Sequence, residues 1–409
     1  MEYIYSALKH PEPILIVGLL IFIGHFFSAI FKKTNIPDVL PLIIIGIAIG
    51  SPRLHMVNVQ DLESVGTVFG TIALALILFE GGSHLQFENL RRSLKDCLKL
   101  SIITFFATVL ITTFFLSIWI DLGLAIFGGI VLGSISPAVV VPIVDILKVS
   151  DKAKTTVIVE SAITDVLSIV LGLTLINSFQ TGDLNIIDVM GKQLFVALLM
   201  SLIFGFIGAL IWSIILKKIR KFPNTIFTTL GFVFILYGLV ETFHFKDFHF
   251  NGALTILVFG LIIANSSKIP LNILEFTNVE KTLFSEIIFI VKTFFFVYLG
   301  ICLASQLNQL DVLLYGLALT TILYGARYLL TWLLGPNDIT ERETNLLAFM
   351  IPKGLAAAVL VQILITSTDQ LTPDIIKVQS IVYSVIFFSI VLSTILIYFE
   401  ESKKKEVAK

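Results

Sequence analysis

Gly133-Ser134-Ile135-Ser136-Pro137-Ala138-Val139-Val140-Val141-Pro142 lies inside an otherwise apolar run over residues 122–147. Pro137 and Pro142 each lack a backbone donor and disfavour helix at the preceding residue. A helix running through this stretch is interrupted, and the interruption frees carbonyls and half-helix ends in the middle of an apolar segment. A second interruption, Met350-Ile351-Pro352-Lys353-Gly354, divides another apolar run at 344–367. A single proline kink is ordinary in an apolar helix. Two Pro/Gly-interrupted runs, one in each half of the chain, imply an internal structural repeat.

Outward from these breaks, the 409-residue chain is 56% hydrophobic, 11% aromatic and only 14% charged, with 35 phenylalanines. Soluble proteins carry about 25% charged residues. Too few charges remain to cover the body in water, so the surplus apolar surface requires lipid. A net charge of −1 excludes a nucleic-acid footprint. Cys97 and Cys302 show neither disulfide nor zinc spacing, and no GxxxxGK[ST] phosphate loop is present. No cofactor is expected.

A spanning helix needs about 20 mostly apolar residues. The pattern predicts about thirteen spans: 13–31, 37–50, 62–82, 97–119, 122–147, 155–179, 186–216, 224–243, 250–264, 278–304, 309–334, 344–367 and 376–399. The first run is too long for a signal h-region, and Lys32 and Lys33 follow it rather than precede it. It reads as a retained helix. Assigning connections alternately to two sides, with span ends included, puts Lys9, Arg53, Lys192, Lys246 and Lys377 on one side. Twenty of the 28 basic residues fall on the other, in clusters at 32–33, 91–99, 148–154, 217–221, 268–281, 342 and 403–409. By the positive-inside rule the C-terminus is cytoplasmic and the N-terminus outside.

Lys292, Arg327 and Lys353 lie within spans, as do Glu80, Glu160, Asp165 and Glu286. A charge at the bilayer centre costs roughly 2.5–3.5 kcal/mol on insertion scales, so such residues face a partner or a water-filled path. In Glu160-Ser161-Ala162-Ile163-Thr164-Asp165-Val166-Leu167-Ser168, the residues Ser161, Thr164, Asp165 and Ser168 share one helical face. Three hydroxyls around one carboxylate offer hard oxygen ligands and one negative charge, suited to a small alkali cation. A polar seam gluing helices explains the hydroxyls equally well, though not a mid-membrane Asp. Lys353 can offset half-helix dipoles, neutralise a carboxylate or form a structural pair. Glu80 can meet Lys353 or Arg327, or be solvated near an interface. Gly46xxxGly50, Gly66xxxGly70 and Gly129xxxGly133 read as helix-packing motifs.

Paired interrupted spans are the pattern of secondary transporters. Together, Phe79-Glu80-Gly81-Gly82, Ser136 to Pro142, Glu160 to Asp165, the Arg327 helix and Ile351-Pro352-Lys353-Gly354 resemble the monovalent cation/proton antiporter superfamily, of NhaP and NapA type. The resemblance spans nearly the whole chain. It implies an NhaA-like all-α membrane fold, with inverted repeats and two broken helices crossing at Pro137 and at Pro352 and Gly354. It also implies core transport helices at 97–179 and 309–399, panel or dimerisation helices at 13–82 and 224–304, and a linker helix at 186–216. By the same resemblance Asp165 alternately holds a cation or protons. Thr164, Ser161, Ser136 and the Ile135 carbonyl belong to the ion site, Glu160 pairs with Arg327, and Lys353 has Glu80 as its expected partner. A homodimer in a prokaryotic cytoplasmic membrane is the implied setting.

Relatives carry Asp-Asp or Asn-Asp where this chain has Thr164-Asp165. Thr164 cannot ionise, which leans the expectation toward electroneutral exchange. Ser136 stands where the NhaP branch has an Asp. The expected activity is Na⁺(Li⁺)/H⁺ exchange by competition for one carboxylate, with K⁺/H⁺ exchange as runner-up. A potassium-efflux channel is the rival class. Its relatives usually carry nucleotide-binding domains, whereas this chain ends about ten residues after its last span. An intramembrane hydrolase needs a second catalytic Asp or a Ser/His pair at depth, and the sequence offers neither. The protein reads as a transporter rather than an enzyme.

Overall fold

The computed structural model describes residues 15, 18–26, 39–51, 59–181, 186–222, 225–245, 248–268, 277–304, 309–336, 338–368 and 371–407. The helices are α1 (Val39–Ile49), α2 (Val59–His84), α3 (Phe87–Leu116), α4 (Leu122–Gly133), α5 (Pro137–Ile146), α6 (Asp151–Thr181) and α7 (Ile186–Ile219). They continue as α8 (Thr225–Thr242), α9 (Gly252–Ala264), α10 (Asn278–Ala304), α11 (Leu310–Leu334), α12 (Glu341–Phe349), α13 (Leu355–Thr366) and α14 (Pro373–Val407). Residues 18–26 are also helical, while the rest of the span expected at 13–31 is almost entirely outside the described residues. A two-residue antiparallel ladder, β1 (His244–Phe245) with β2 (Phe248–His249), turns the chain between α8 and α9.

Among the described residues, eight stretches are long and apolar enough to cross a membrane. Shorter apolar helices occupy Val39–Ile49, Gly70–Ser83, Gly252–Ala264 and Ala356–Thr366. Several helices outrun the expected spans. α3 begins at Phe87 rather than 97, α6 covers 151–181 rather than 155–179, and α14 continues to Val407 rather than 399. Hydropathy measures the apolar length, and a helix keeps its own hydrogen bonds where it continues past that length into a polar layer.

Local chemistry sets several helix starts. Asp121 caps α4 by accepting the Gly123 N–H at 2.9 Å, and Asn251 caps α9 by accepting the Leu254 N–H at 2.7 Å. Thr340 and Glu343 form a reciprocal capping box at α12. Pro137 opens α5 at the first turn, where its missing N–H removes nothing from the helix.

The interior is formed by α4 with the start of α5, whose apolar window is 89% buried, and by α6, at 83%. The corresponding window of α3 is only 28% buried and that of α8 22%. Phe114, Leu110, Phe195, Phe227 and Leu333 stand on the outer surface, as suits side chains bathed in lipid. α3 packs on α4, α6 and α11; α14 packs on α11, α12 and α13; α9 joins α2 and α7; and α1 lies on α10.

Glycine notches set the close approaches. A Cβ on Gly46 would stand 2.8 Å from Gly300 Cα and closer still to the Val297 carbonyl, and one on Gly50 would stand 2.7 Å from Ile301 Cα. A Cβ on Gly129 would meet the Val109 carbonyl at 2.7 Å. The first and third small-residue motifs are therefore backbone contacts, of α1 with α10 and of α4 with α3.

Contacts between connections follow the two-sided partition of the sequence. Lys268 pairs with Glu88 at 3.1 Å, Arg220 with Glu280 at 3.1 Å, Lys152 with Asp338 at 2.8 Å, and Arg342 with Glu401. All lie on the basic side. Lys152 holds the Asp338 carboxyl below the usual carboxylate range. The Ser150 N–H donates to Glu343 at 2.5 Å, and Arg342 donates to the Lys148 carbonyl at 3.2 Å. On the opposite side the Asp121 N–H donates to Asp374 at 3.2 Å.

Gly46→Leu must separate α1 from α10 and is expected to lower stability by at least about 1–3 kcal/mol, the usual cost of overpacking. Gly231→Ala, at a position with open space for a Cβ, is expected to be neutral or stabilising by up to about 1 kcal/mol. Thermal unfolding in detergent, with equal melting temperatures for the two variants as the contrary outcome, checks the contrast.

Candidate functional site

Between α4 and α5 the chain runs extended, with ψ of 151° at Ser134 and 109° at Ser136. A second extended stretch separates Phe349, the end of α12, from Leu355, the start of α13. The two stretches cross in contact, and the Ser136 N–H donates to the Pro352 carbonyl at 2.9 Å. A Cβ on Gly354 would lie 2.6 Å from Ser136 Cβ and even nearer its hydroxyl, so only glycine lets the strands approach this far. Two helix C-termini and two helix N-termini converge here, bringing partial charges of both signs to one buried place.

α6 holds the first break in position. Thr164 accepts the Ile135 N–H at 3.1 Å and donates to its own helix at the Glu160 carbonyl, 2.9 Å away. Ser168 donates to the Ile130 carbonyl at 2.9 Å, near the end of α4. Ser161 donates to the Ile158 carbonyl at 3.0 Å. The hydroxyls of the α6 face thus satisfy backbone groups rather than gather around Asp165. The Ser134 hydroxyl donates to the Val131 carbonyl at 3.3 Å, and Ser134 and Lys353 both lie within electrostatic range of Asp165. Asp165 Oδ1 and the Ser136 hydroxyl are both buried without a hydrogen-bond partner. Buried oxygens of this kind call for a proton, water or ion.

One turn earlier on α6, Glu160 forms a bidentate pair with Arg327 of α11, with Nη2 to Oε2 at 2.6 Å. Side-chain exposure is 1% for Glu160 and 4% for Arg327, so neither charge is solvated. Thr104 of α3 adds a hydrogen bond to Glu160 at 3.0 Å, and Arg327 reaches the Leu347 carbonyl at 3.4 Å. Lys353 is equally buried and feels Arg327, Glu160 and Asp165. Its backbone N–H donates to the Ser389 hydroxyl at 2.9 Å.

Glu80 does not join this group. It lines an open cleft with Ser83, Gln86 and Lys281 at the ends of α2, α9 and α10, and it is not among the charges acting on Lys353. Ser134, Thr104, Tyr324, Ser389 and Ser393 were not singled out in the sequence. The only signal for the last two was a pair of hydroxyls four residues apart on an apolar helix.

The profile of the sodium/hydrogen exchanger transmembrane family matches residues 18–399. The chain belongs to the sodium/hydrogen exchanger family. Na(+)/H(+) antiporter 1 of Methanocaldococcus jannaschii is 26% identical to this chain over 197 residues, covering 46% of each. The K(+)/H(+) antiporter NhaP of Alkalimonas amylolytica is 26% identical over 324 residues, covering 76% of this chain and 52% of the relative. The chain therefore spans about half the length of the curated relatives it matches. The solved sodium proton antiporter MjNhaP1 of Methanocaldococcus jannaschii, at pH 8, superposes with a TM-score of 0.77 and 22% identity, over 93% of this chain and 98% of that chain. At that identity the likeness is one of fold.

Removing one partner of Glu160–Arg327 strands the other charge in the interior. Glu160→Ala and Arg327→Ala are each expected to cost about 3–5 kcal/mol, whereas Glu160→Leu/Arg327→Leu costs less than the sum. Thermal unfolding of the purified variants checks this, and additive losses would contradict the pairing.

Proposed function

We propose that this exchanger moves Na⁺ or Li⁺ out of the cell against H⁺, one for one, by letting cation and proton compete for Asp165. The observation that carries the reading is the pair of unpartnered buried oxygens, Asp165 Oδ1 and Ser136 Oγ, at the crossing of the two broken spans. A carboxylate buried among half-helix ends is stable only when neutralised, and either a proton or an alkali cation does so. Asp165 holds whichever arrives, and the Ser136, Ser134 and Ser161 hydroxyls and the Ile135 carbonyl complete an oxygen shell for a dehydrated cation. Thr164 fixes the Ile135 backbone. Glu160 and Arg327 cancel one another and keep α6 and α11 together while the site changes sides. A site that turns only when occupied converts an inward proton gradient into cation export.

One carboxylate binding one proton or one cation makes the cycle electroneutral. If Lys353 also releases a proton, the ratio exceeds one and the cycle carries current. The setting proposed is a thirteen-span protein of a prokaryotic cytoplasmic membrane, with its N-terminus outside and C-terminus inside. α3–α6 and α11–α14 form the moving core. The remaining helices form a panel that pairs two copies, and α7 links the two units. K⁺/H⁺ exchange is the second reading, favoured by the name of the Alkalimonas amylolytica relative.

Purified protein in proteoliposomes with an internal pH dye tests both readings. Na⁺ and Li⁺ are expected to dissipate a proton gradient, K⁺ and Rb⁺ much less, and a potassium–valinomycin voltage clamp is expected to leave the rate unchanged. Asp165→Asn should fall to the level of empty liposomes. Full exchange by that variant would overturn the site, preference for K⁺ would favour the second reading, and current without proton counterflow would indicate a channel.

A further inference from the structure

Tyr324 lies three residues before Arg327 on α11 and is buried. Its hydroxyl stands 2.7 Å from the Ser389 carbonyl and 2.6 Å from the Ser393 hydroxyl. Ser393 in turn lies 2.9 Å from the carbonyl of Phe349, the last residue of α12. The Ser389 hydroxyl accepts the Lys353 N–H on the other flank of the same break. Two serines of α14, one turn apart, therefore grip both ends of the extended stretch that carries Lys353, and Tyr324 bridges them.

The hydrogens are too few for every contact at once. Tyr324 and Ser393 have one hydroxyl hydrogen each, yet three short oxygen–oxygen contacts join them to each other and to two carbonyls. In one arrangement Tyr324 donates to the Ser389 carbonyl and Ser393 donates to Tyr324. In the other Tyr324 donates to Ser393, which donates to the Phe349 carbonyl. Both contain two hydrogen bonds, and of these two only the second holds the end of α12; donating to both carbonyls at once would leave the two hydroxyl oxygens 2.6 Å apart with no hydrogen between them.

We infer that Tyr324 is a positioning residue for the ion site, acting through Ser393 and Ser389 on the backbone at Phe349 and Lys353. Passing its hydrogen between the two serines lets the second break shift against α14 without stranding a buried hydroxyl. This rests on the reading of Asp165 and its surroundings as the ion site.

Tyr324→Phe keeps the ring and removes the hydroxyl; Ser393→Ala removes the other member; Tyr328→Phe, at an exposed ring on the same helix, is the control. In proteoliposomes, Tyr324→Phe and Ser393→Ala are each expected to raise the apparent KM for the transported cation about fivefold, the equivalent of one neutral hydrogen bond. The double variant should rise no further than either single, and Tyr328→Phe should match wild type. Amide hydrogen exchange over residues 349–354 should quicken in Tyr324→Phe and not in Tyr328→Phe. Unchanged KM in both singles, or fully multiplicative effects in the double, would overturn the inference, as would unchanged amide exchange. Should Tyr324→Phe not fold, Ser393→Ala decides by the same two measurements. Wild-type protein that exchanges no alkali cation would defeat the functional reading instead, and the amide-exchange comparison would then decide the backbone clamp alone.

Discussion

A backbone amide in an apolar span must find a partner, since leaving it bare in hydrocarbon costs several kcal/mol. This chain breaks two helices in mid-span and meets the requirement from outside those helices. The Ile135 amide goes to Thr164, the Ser136 amide to the Pro352 carbonyl, and the Lys353 amide to Ser389. The acceptors come from α6, from the opposite break and from α14. These helices are thus arranged around the needs of two short stretches of main chain, and Asp165 Oδ1 and Ser136 Oγ are left over once that need is met.

The charges follow the same economy. Glu160 and Arg327 neutralise each other in a bidentate pair with further hydrogen bonds from Thr104 and to Leu347. A pair so enclosed is fixed in geometry, and its Arg stays charged. Asp165 and Lys353 have no such closed pairing, and their surroundings contain both half-helix ends and unpartnered oxygen. The division separates a structural ion pair from groups free to respond to what binds.

The breaks were legible in the sequence because proline acts locally: Pro137 stands at the start of α5 and Pro352 between α12 and α13, although Pro142 is carried inside α5 without ending it. Basic residues assign connections to sides without reference to tertiary contacts, and the ion pairs of Lys152, Arg220, Lys268 and Arg342 each join two connections that the sequence puts on the same side. The roles of the hydroxyls were not. One helical face of Ser161, Thr164 and Ser168 cannot say whether its oxygens turn to an ion or to the main chain of a neighbour. Thr104, Tyr324 and Ser389 acquire their meaning only through partners far away in the chain. Glu80 shows the converse, a conspicuous acidic residue in an apolar run that lines a different cleft.

The hydrogen bond from Ser136 to Pro352 also bears on how such a chain is made. Its donor leaves the ribosome long before its acceptor, and the Ile135 amide, by contrast, finds Thr164 within the same half. During insertion the first break must therefore pass a period with the Ser136 amide served by water or by the insertion machinery, and it becomes dry only when the second half arrives. The biosynthetic order makes the C-terminal half the closing step, and a chain truncated before Pro352 retains a wet, open seam where the finished protein has a buried crossing.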